Sequence, residues 1–183
     1  MTGPQAVRPA RAEAVVPTAA RMRSAGERLA GLLRAGDLVV LSGPLGAGKT
    51  TLVQGIGAGL AVRGPITSPT FVIARIHPAL RGGPDLVHAD AYRLGSRAEV
   101  DDLDLDADTD RSVTVVEWGE GLVEDLAPDY LHITLRPAQP PEPPPSPAAA
   151  EPGDEARIVT VTGLGQRWAG TAQALRQAVG SPA

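Results

Sequence analysis

Two hydrophobic rhythms take turns along this 183-residue chain. Asp37-Leu38-Val39-Val40-Leu41-Ser42 and Val113-Thr114-Val115-Val116 carry almost unbroken apolar runs. Such runs mark strands buried on both faces, as in the centre of a parallel sheet. Asp85 to Asp90 is a shorter strand with polar residues near its C-terminal end, and Phe71 to Ile76 predicts another. Tyr130 to Arg136 alternates instead, with Leu131, Ile133 and Leu135 on one side and His132, Thr134 and Arg136 on the other. Arg157 to Thr162 alternates in the same way. This is the pattern of half-buried, antiparallel strands. Helical spacing links Met22, Ala25, Leu29, Leu32 and Leu33, in a helix that Thr18 can cap and Gly36-Asp37 ends. It also links Leu52, Val53, Ile56 and Leu60, and, near the C-terminus, Leu164, Trp168, Thr171, Leu175 and Val179. Ser96 and Glu99 have capping-box spacing, and a short helix around Leu122, Val123 and Leu126 stops before Pro128.

Strands that alternate with helices predict an α/β fold. We expect about six strands and four or five helices, with a mostly parallel central sheet, antiparallel edge strands and flanking helices. There is no internal repeat. Residues 1–16, rich in Ala, Pro and Arg, are expected to be a disordered tail. Residues 17–183 form one domain, interrupted at 137–156 by a low-complexity insert with eight prolines that cannot build a core.

Composition narrows the classes. The chain is 43% hydrophobic and 21% charged, as globular proteins are, and with 3% aromatic residues its core must come from Leu, Val, Ile and Ala. A net charge of -4 argues against a large nucleic-acid surface acting alone. Without cysteine there is no disulfide and no thiolate metal site. No apolar run approaches the ~20 residues of a membrane span, and the N-terminus lacks a signal-peptide core. The expectation is a cytoplasmic protein.

The chemistry begins at Gly43-Pro44-Leu45-Gly46-Ala47-Gly48-Lys49-Thr50, which satisfies G-x-x-x-x-G-K-[ST] between a buried strand and a helix. Glycines let successive backbone N–H groups close on phosphate oxygens, and the next helix N-terminus completes an anion nest. Lys49 supplies a point charge to β- and γ-phosphates, and the Thr50 hydroxyl supplies a hard oxygen for Mg²⁺. A P-loop nucleotide-binding fold therefore follows, and it needs an acid at the end of a neighbouring strand. Glu117, after Val113–Val116, is the first choice for the metal. Asp90 is placed to hold a metal-bound water or to orient the attacking water, with a turn carboxylate as the plainer reading. Ser68 and Thr70 precede a strand and could sense the γ-phosphate or simply form a Pro-containing turn. His88 reads as a strand histidine and not as a base. Trp118 is either core filler or pocket wall. The acids between Glu99 and Asp110 form either a solvated surface or a docking face for a basic partner.

Taken in order, Gly43–Thr51, Ser68-Pro69-Thr70-Phe71, His88-Ala89-Asp90-Ala91-Tyr92-Arg93 and Glu117-Trp118 resemble the bacterial TsaE (YjeE) family. The resemblance covers about 18–136 and the segment from Arg157. It implies an ATPase that works with TsaD and TsaB in threonylcarbamoyladenosine modification of tRNA, meeting the tRNA only through that complex. It implies that ATP phosphates bind along Gly43, Gly46, Ala47, Gly48, Lys49, Thr50 and Thr51. Thr50 and Glu117 would hold Mg²⁺, Asp90 would serve hydrolysis beside Lys49, and Trp118 would stand in the active site. Pro44 departs from the acidic residue common at that position. Slow, partner-stimulated conversion of ATP to ADP and phosphate suits this role. The alternatives are a small-molecule P-loop kinase, with Arg93, Arg97 or Arg111 in a lid, and a nucleotide-gated scaffold that does not hydrolyse.

Overall fold

The computed structural model of the chain describes residues 8–69, 73–101, 110–138 and 155–180. Seven strands form one sheet: β1 (Ala10–Val16), β2 (Leu38–Ser42), β3 (Ala74–His77), β4 (Asp85–Asp90), β5 (Ser112–Glu117), β6 (Tyr130–Pro137) and β7 (Arg157–Leu164). Their order across the sheet is β1-β7-β6-β2-β5-β4-β3. The four central strands β6, β2, β5 and β4 run parallel, and β1, β7 and β3 pair antiparallel at the edges. The helices are α1 (Ala19–Ala30), α2 (Lys49–Gly59), α3 (Arg97–Asp101) and α4 (Ala172–Val179).

The continuous apolar runs occupy the middle, as their burial requires: every residue of β2 and β5 is buried. One face packs under α1, α2 and α4 through Met22, Leu29, Leu52, Ile56, Val115, Leu131 and Leu175. The opposite face, with Val40, Val87, Ala89 and Val116, is covered by Val100 of α3 and by Val123 of the loop after β5. The Thr18 hydroxyl accepts from the Arg21 N–H at 3.2 Å and caps α1, while Glu99 N–H meets the Ser96 hydroxyl at 3.4 Å at the start of α3.

Four expectations need correction. Residues 10–16 are not a tail. They form β1, paired along its whole length with β7 from Ala10↔Gly163 to Val16↔Arg157. Ala10, Ala12 and Val16 face the core while Arg11, Glu13 and Val15 face out. Alanine carries little hydrophobic contrast, so the period of two is faint, and the strand owes its existence to its partner. β6 is antiparallel to β7 as expected, but it is also parallel to β2. Trp168 does not belong to the last helix. It sits in a 3₁₀ turn at Gln166–Trp168 and is 1% exposed, with α4 starting only after Gly170, whose φ is +75°. The strand expected over 71–76 is β3, at Ala74–His77, shifted toward the C-terminus. Residues 70–72, most of the acidic span and residues 139–154 of the insert lie outside the described residues.

Candidate nucleotide and metal site

The site grows out of the C-terminal ends of β2, β4 and β5. Between β2 and α2 the chain must turn sharply, and Gly43, Gly46 and Gly48 all take positive φ, 143°, 76° and 98°. Gly48 is the N-cap of α2 in the left-handed region, which L side chains rarely enter, so the motif's glycine is required by the backbone itself. Pro44 is accommodated: its carbonyl accepts from Ala47 N–H at 3.2 Å and closes the turn.

Lys49 opens α2 and is 5% exposed. Its ammonium donates to the carbonyls of Gly43 at 2.8 Å and Pro44 at 3.0 Å, and lies 3.9 Å from the centre of the Trp118 ring. Burial lowers its pKa, opposed by the negative charges of Glu117 and Asp90. The Thr50 hydroxyl donates to Glu117 Oε1 at 2.9 Å. Asp90 and Glu117 are register partners on adjacent strands, so both carboxylates emerge at one level beside the loop. Asp90 is held from two sides: Tyr92 N–H donates to Oδ1 at 2.9 Å and the Ser68 hydroxyl reaches Oδ2 at 3.4 Å.

Trp118 is where the chain leaves the sheet. Its φ is +60°, uncommon for a non-glycine residue and strained by about 1–3 kcal/mol. The strain aims the indole across the mouth of the site, where it covers Lys49 and meets Tyr92 edge-on at 5.2 Å. Trp118 is thus pocket wall, which resolves the choice left open by the sequence.

A cleft of about 270 Å³ is lined by Gly46 to Thr51, Ser68, Asp90, Glu117 and Trp118. Every predicted site residue borders it except Gly43, which holds Lys49 from behind through its carbonyl. A second cleft of about 170 Å³ lies across the loop crest, sharing Gly46, Ala47, Gly48 and Thr51, and is walled by Thr18, Met22 and Arg157. Thr70 lies outside the described residues. Of the arginines considered for a lid, Arg97 is engaged by Asp125, and Arg111 precedes β5, at the opposite end of that strand from Glu117.

Sequence reasoning missed three residues here. Tyr92 stands in the His88–Arg93 motif with no role assigned to it and lies against Trp118, and Arg157, whose guanidinium reaches the Gly46 carbonyl at 3.4 Å, has no local signal. His88 did have one. It is two residues before Asp90 on one strand, so the two share a face. It is fully buried, with Nε2 2.9 Å from Glu117 Oε1.

Among the described residues, no group of three or more His, Cys, Asp or Glu is placed to hold a metal ion by itself. The donors that do converge, a threonine hydroxyl and a carboxylate, are hard oxygens. They suit an ion such as Mg²⁺ that takes one or two protein ligands and completes its shell with phosphate and water.

Residues 16–142 match the family described as "Threonylcarbamoyl adenosine biosynthesis protein TsaE". The chain is 60% identical over 149 residues to the tRNA threonylcarbamoyladenosine biosynthesis protein TsaE of Streptomyces coelicolor, covering 81% of this chain and 94% of that one. It is 34% identical over 140 residues to the protein of the same name from Bacillus subtilis, covering 76% and 77%. In fold it resembles the crystal structure of Bacillus subtilis YdiB, with a TM-score of 0.68 at 24% identity over 93% of this chain and 97% of that one. With 127 consecutive residues inside the family match, and the loop, strand ends and tryptophan all within it, the chain belongs to the TsaE family.

Proposed function

We propose that this protein is a Mg²⁺-dependent ATP hydrolase that acts with TsaD and TsaB in threonylcarbamoyladenosine modification of tRNA in the cytoplasm. The observation that carries the reading is the Thr50–Glu117 hydrogen bond at 2.9 Å, formed beside Lys49 at the mouth of a phosphate-binding loop. Among the described residues no helix is long and apolar enough to cross a membrane.

The loop amides from Gly46 to Thr51 would cradle the phosphates, and Lys49 would leave the Gly43 and Pro44 carbonyls to neutralise β- and γ-oxygens. That exchange is inexpensive, because the ammonium trades two neutral acceptors for charged ones. Thr50 and Glu117 would hold Mg²⁺, which when bound supplies positive charge to the phosphate oxygens as they develop charge in transfer. Asp90, fixed by Tyr92 N–H and Ser68, would orient the attacking water in line with the γ-phosphorus. Trp118 would roof the phosphates and exclude water. The nucleoside would lie across the loop crest, in the cleft between Met22 and Arg157.

The need for partners is supported by the rim. Leu45 at the loop tip is 92% exposed and Tyr92 is 64% exposed, so apolar side chains flank the site without cover. They suit a protein surface that closes over bound ATP.

The reading is tested in two parts. Glu117→Ala should lower Mg²⁺-stimulated phosphate release strongly while the protein still unfolds cooperatively; turnover and metal dependence equal to wild type would end the metal assignment. Co-purification with the TsaD–TsaB pair should require ATP and Mg²⁺, and failure to associate with or without them would end the partner assignment. A phosphorylated small molecule in place of free phosphate would identify a kinase instead.

A further inference from the structure

The buried His88 is not explained by packing. It is 0% exposed in β4, and its Nδ1 has no hydrogen-bond partner among the described residues. An unpaired polar atom in a closed interior lowers stability, and a leucine or methionine would fill the space without that loss. What the imidazole does achieve is one contact, Nε2 to Glu117 Oε1 at 2.9 Å. A carboxylate oxygen accepts, so the contact takes its proton from Nε2.

The same oxygen also accepts from Thr50. Glu117 therefore has two donors that draw it to one point, one from the strand beside it and one from α2. A third attraction competes. Lys49 carries opposite charge and lines the same cleft as Glu117. A Glu117 that swung onto Lys49 would pair the two groups the phosphates need apart.

From this geometry we infer that His88 is a positioning residue: its Nε2–H holds the Glu117 carboxylate on the Thr50 side, preset for a divalent cation, at the expense of an unpaired nitrogen in the core. The inference rests on the proposed metal role of Thr50 and Glu117. Partners that orient a ligand in this way typically change metal affinity by about 10–100-fold.

The test measures binding and not turnover. The dissociation constant of the β,γ-imido analogue of ATP is determined by calorimetry in EDTA and in Mg²⁺, and the ratio gives the tightening due to metal. His88→Leu should reduce that ratio about tenfold or more while leaving the EDTA value near wild type. Its melting temperature should stay near that of the wild type, since the unpaired nitrogen goes together with the bond to Glu117. His88→Gln, whose amide nitrogen reaches the position of Nε2, should restore much of the ratio.

Wild-type tightening in His88→Leu overturns the inference. So does an equal loss in both variants together with a lowered melting temperature, which is the result of a purely structural histidine. If His88→Leu does not fold, His88→Met replaces it, and failure of both to fold also overturns it. Glu117→Gln and Thr50→Val run alongside: if these keep full tightening, the metal reading fails. If they lose it and His88→Leu does not, only the role of His88 fails.

Discussion

Gly55→Ala separates two forces that act on α2 with opposite sign. The helix carrying the phosphate loop contains Gly55, Gly57 and Gly59, which weaken it by intrinsic propensity. Replacing a helical glycine with alanine should therefore stabilise it by about 1 kcal/mol if nothing stood in the way. The structure shows what does. A Cβ at Gly55 would lie 2.1 Å from the Arg23 carbonyl oxygen and 2.8 Å from its carbon, and one at Gly26 across the contact would lie 2.4 Å from the Leu52 oxygen. A carbon needs about 3.3 Å from a carbonyl oxygen, so α1 and α2 would have to part by about 1 Å. The obstacles are backbone atoms that cannot rotate away, which places the overpacking cost at the upper end, about 3 kcal/mol. The net loss is then about 2 kcal/mol, or about 4–8 °C in melting temperature for a chain of this size. Thermal unfolding followed by circular dichroism reads it directly. The same displacement moves the N-terminus of α2, so ATP affinity should fall as well. An unchanged or raised melting temperature would show that propensity wins and that the close helix contact is wrong.

Lys49→Ala should remove most ATP affinity, because the phosphates lose their only buried cation among the described residues; undiminished binding by calorimetry would contradict it. Asp90→Asn should leave ATP affinity within a few-fold of wild type and slow phosphate release by about 10²-fold, since the amide keeps the shape but loses the charge that orients water; equal release by the two proteins would remove Asp90 from the chemistry. His77 is 3% exposed, and burial lowers its pKa below the ordinary 6.5. Below that value the unfolded chain binds the proton more readily than the folded one, so stability is complete above about pH 6.5 and declines as pH falls. His77→Gln should flatten the fall in melting temperature below about pH 6.5 relative to wild type; parallel curves for the two proteins would refute it.

What could be read from the residues tracks where local physics is strict. The phosphate loop was legible because the close approach of backbone to phosphate dictates residue types at fixed spacing. β2 and the Val113–Val116 run of β5 were legible because strands buried on both faces admit few polar residues; Asp85–Asp90 was placed to the residue although half of it is polar. β1 was not legible, because Ala10, Ala12 and Ala14 carry little contrast and the strand is specified by β7, some 150 positions away. Trp168 was misplaced because its spacing fits a helix, whereas the space it fills is made by Gly163, where an added Cβ would lie 2.5 Å from the Trp168 Cβ. The Thr50–Glu117 pairing was expected from chemistry, but the His88–Glu117 contact depends on which strands lie side by side, and no single stretch of sequence states that.

Strand register is what turns these residues into a site. Leu86, His88 and Asp90 alternate with Val87 and Ala89 on β4, and Val113, Val115 and Glu117 alternate with Thr114 and Val116 on β5. Leu86, Val113 and Val115 belong to the core beneath α1 and α2, while Val87, Ala89 and Val116 belong to the core on the other face. The apolar members therefore decide which way the polar ones point. Slipping either strand by one residue would carry its carboxylate to the face away from Thr50, but it would also bury the wrong set of side chains on both faces at once. Register alone brings Glu117 to the face of the sheet that α2 covers. The same burial that makes β5 a central strand aims its last residue, and the positive φ of Trp118 ends the strand before the alternation can continue.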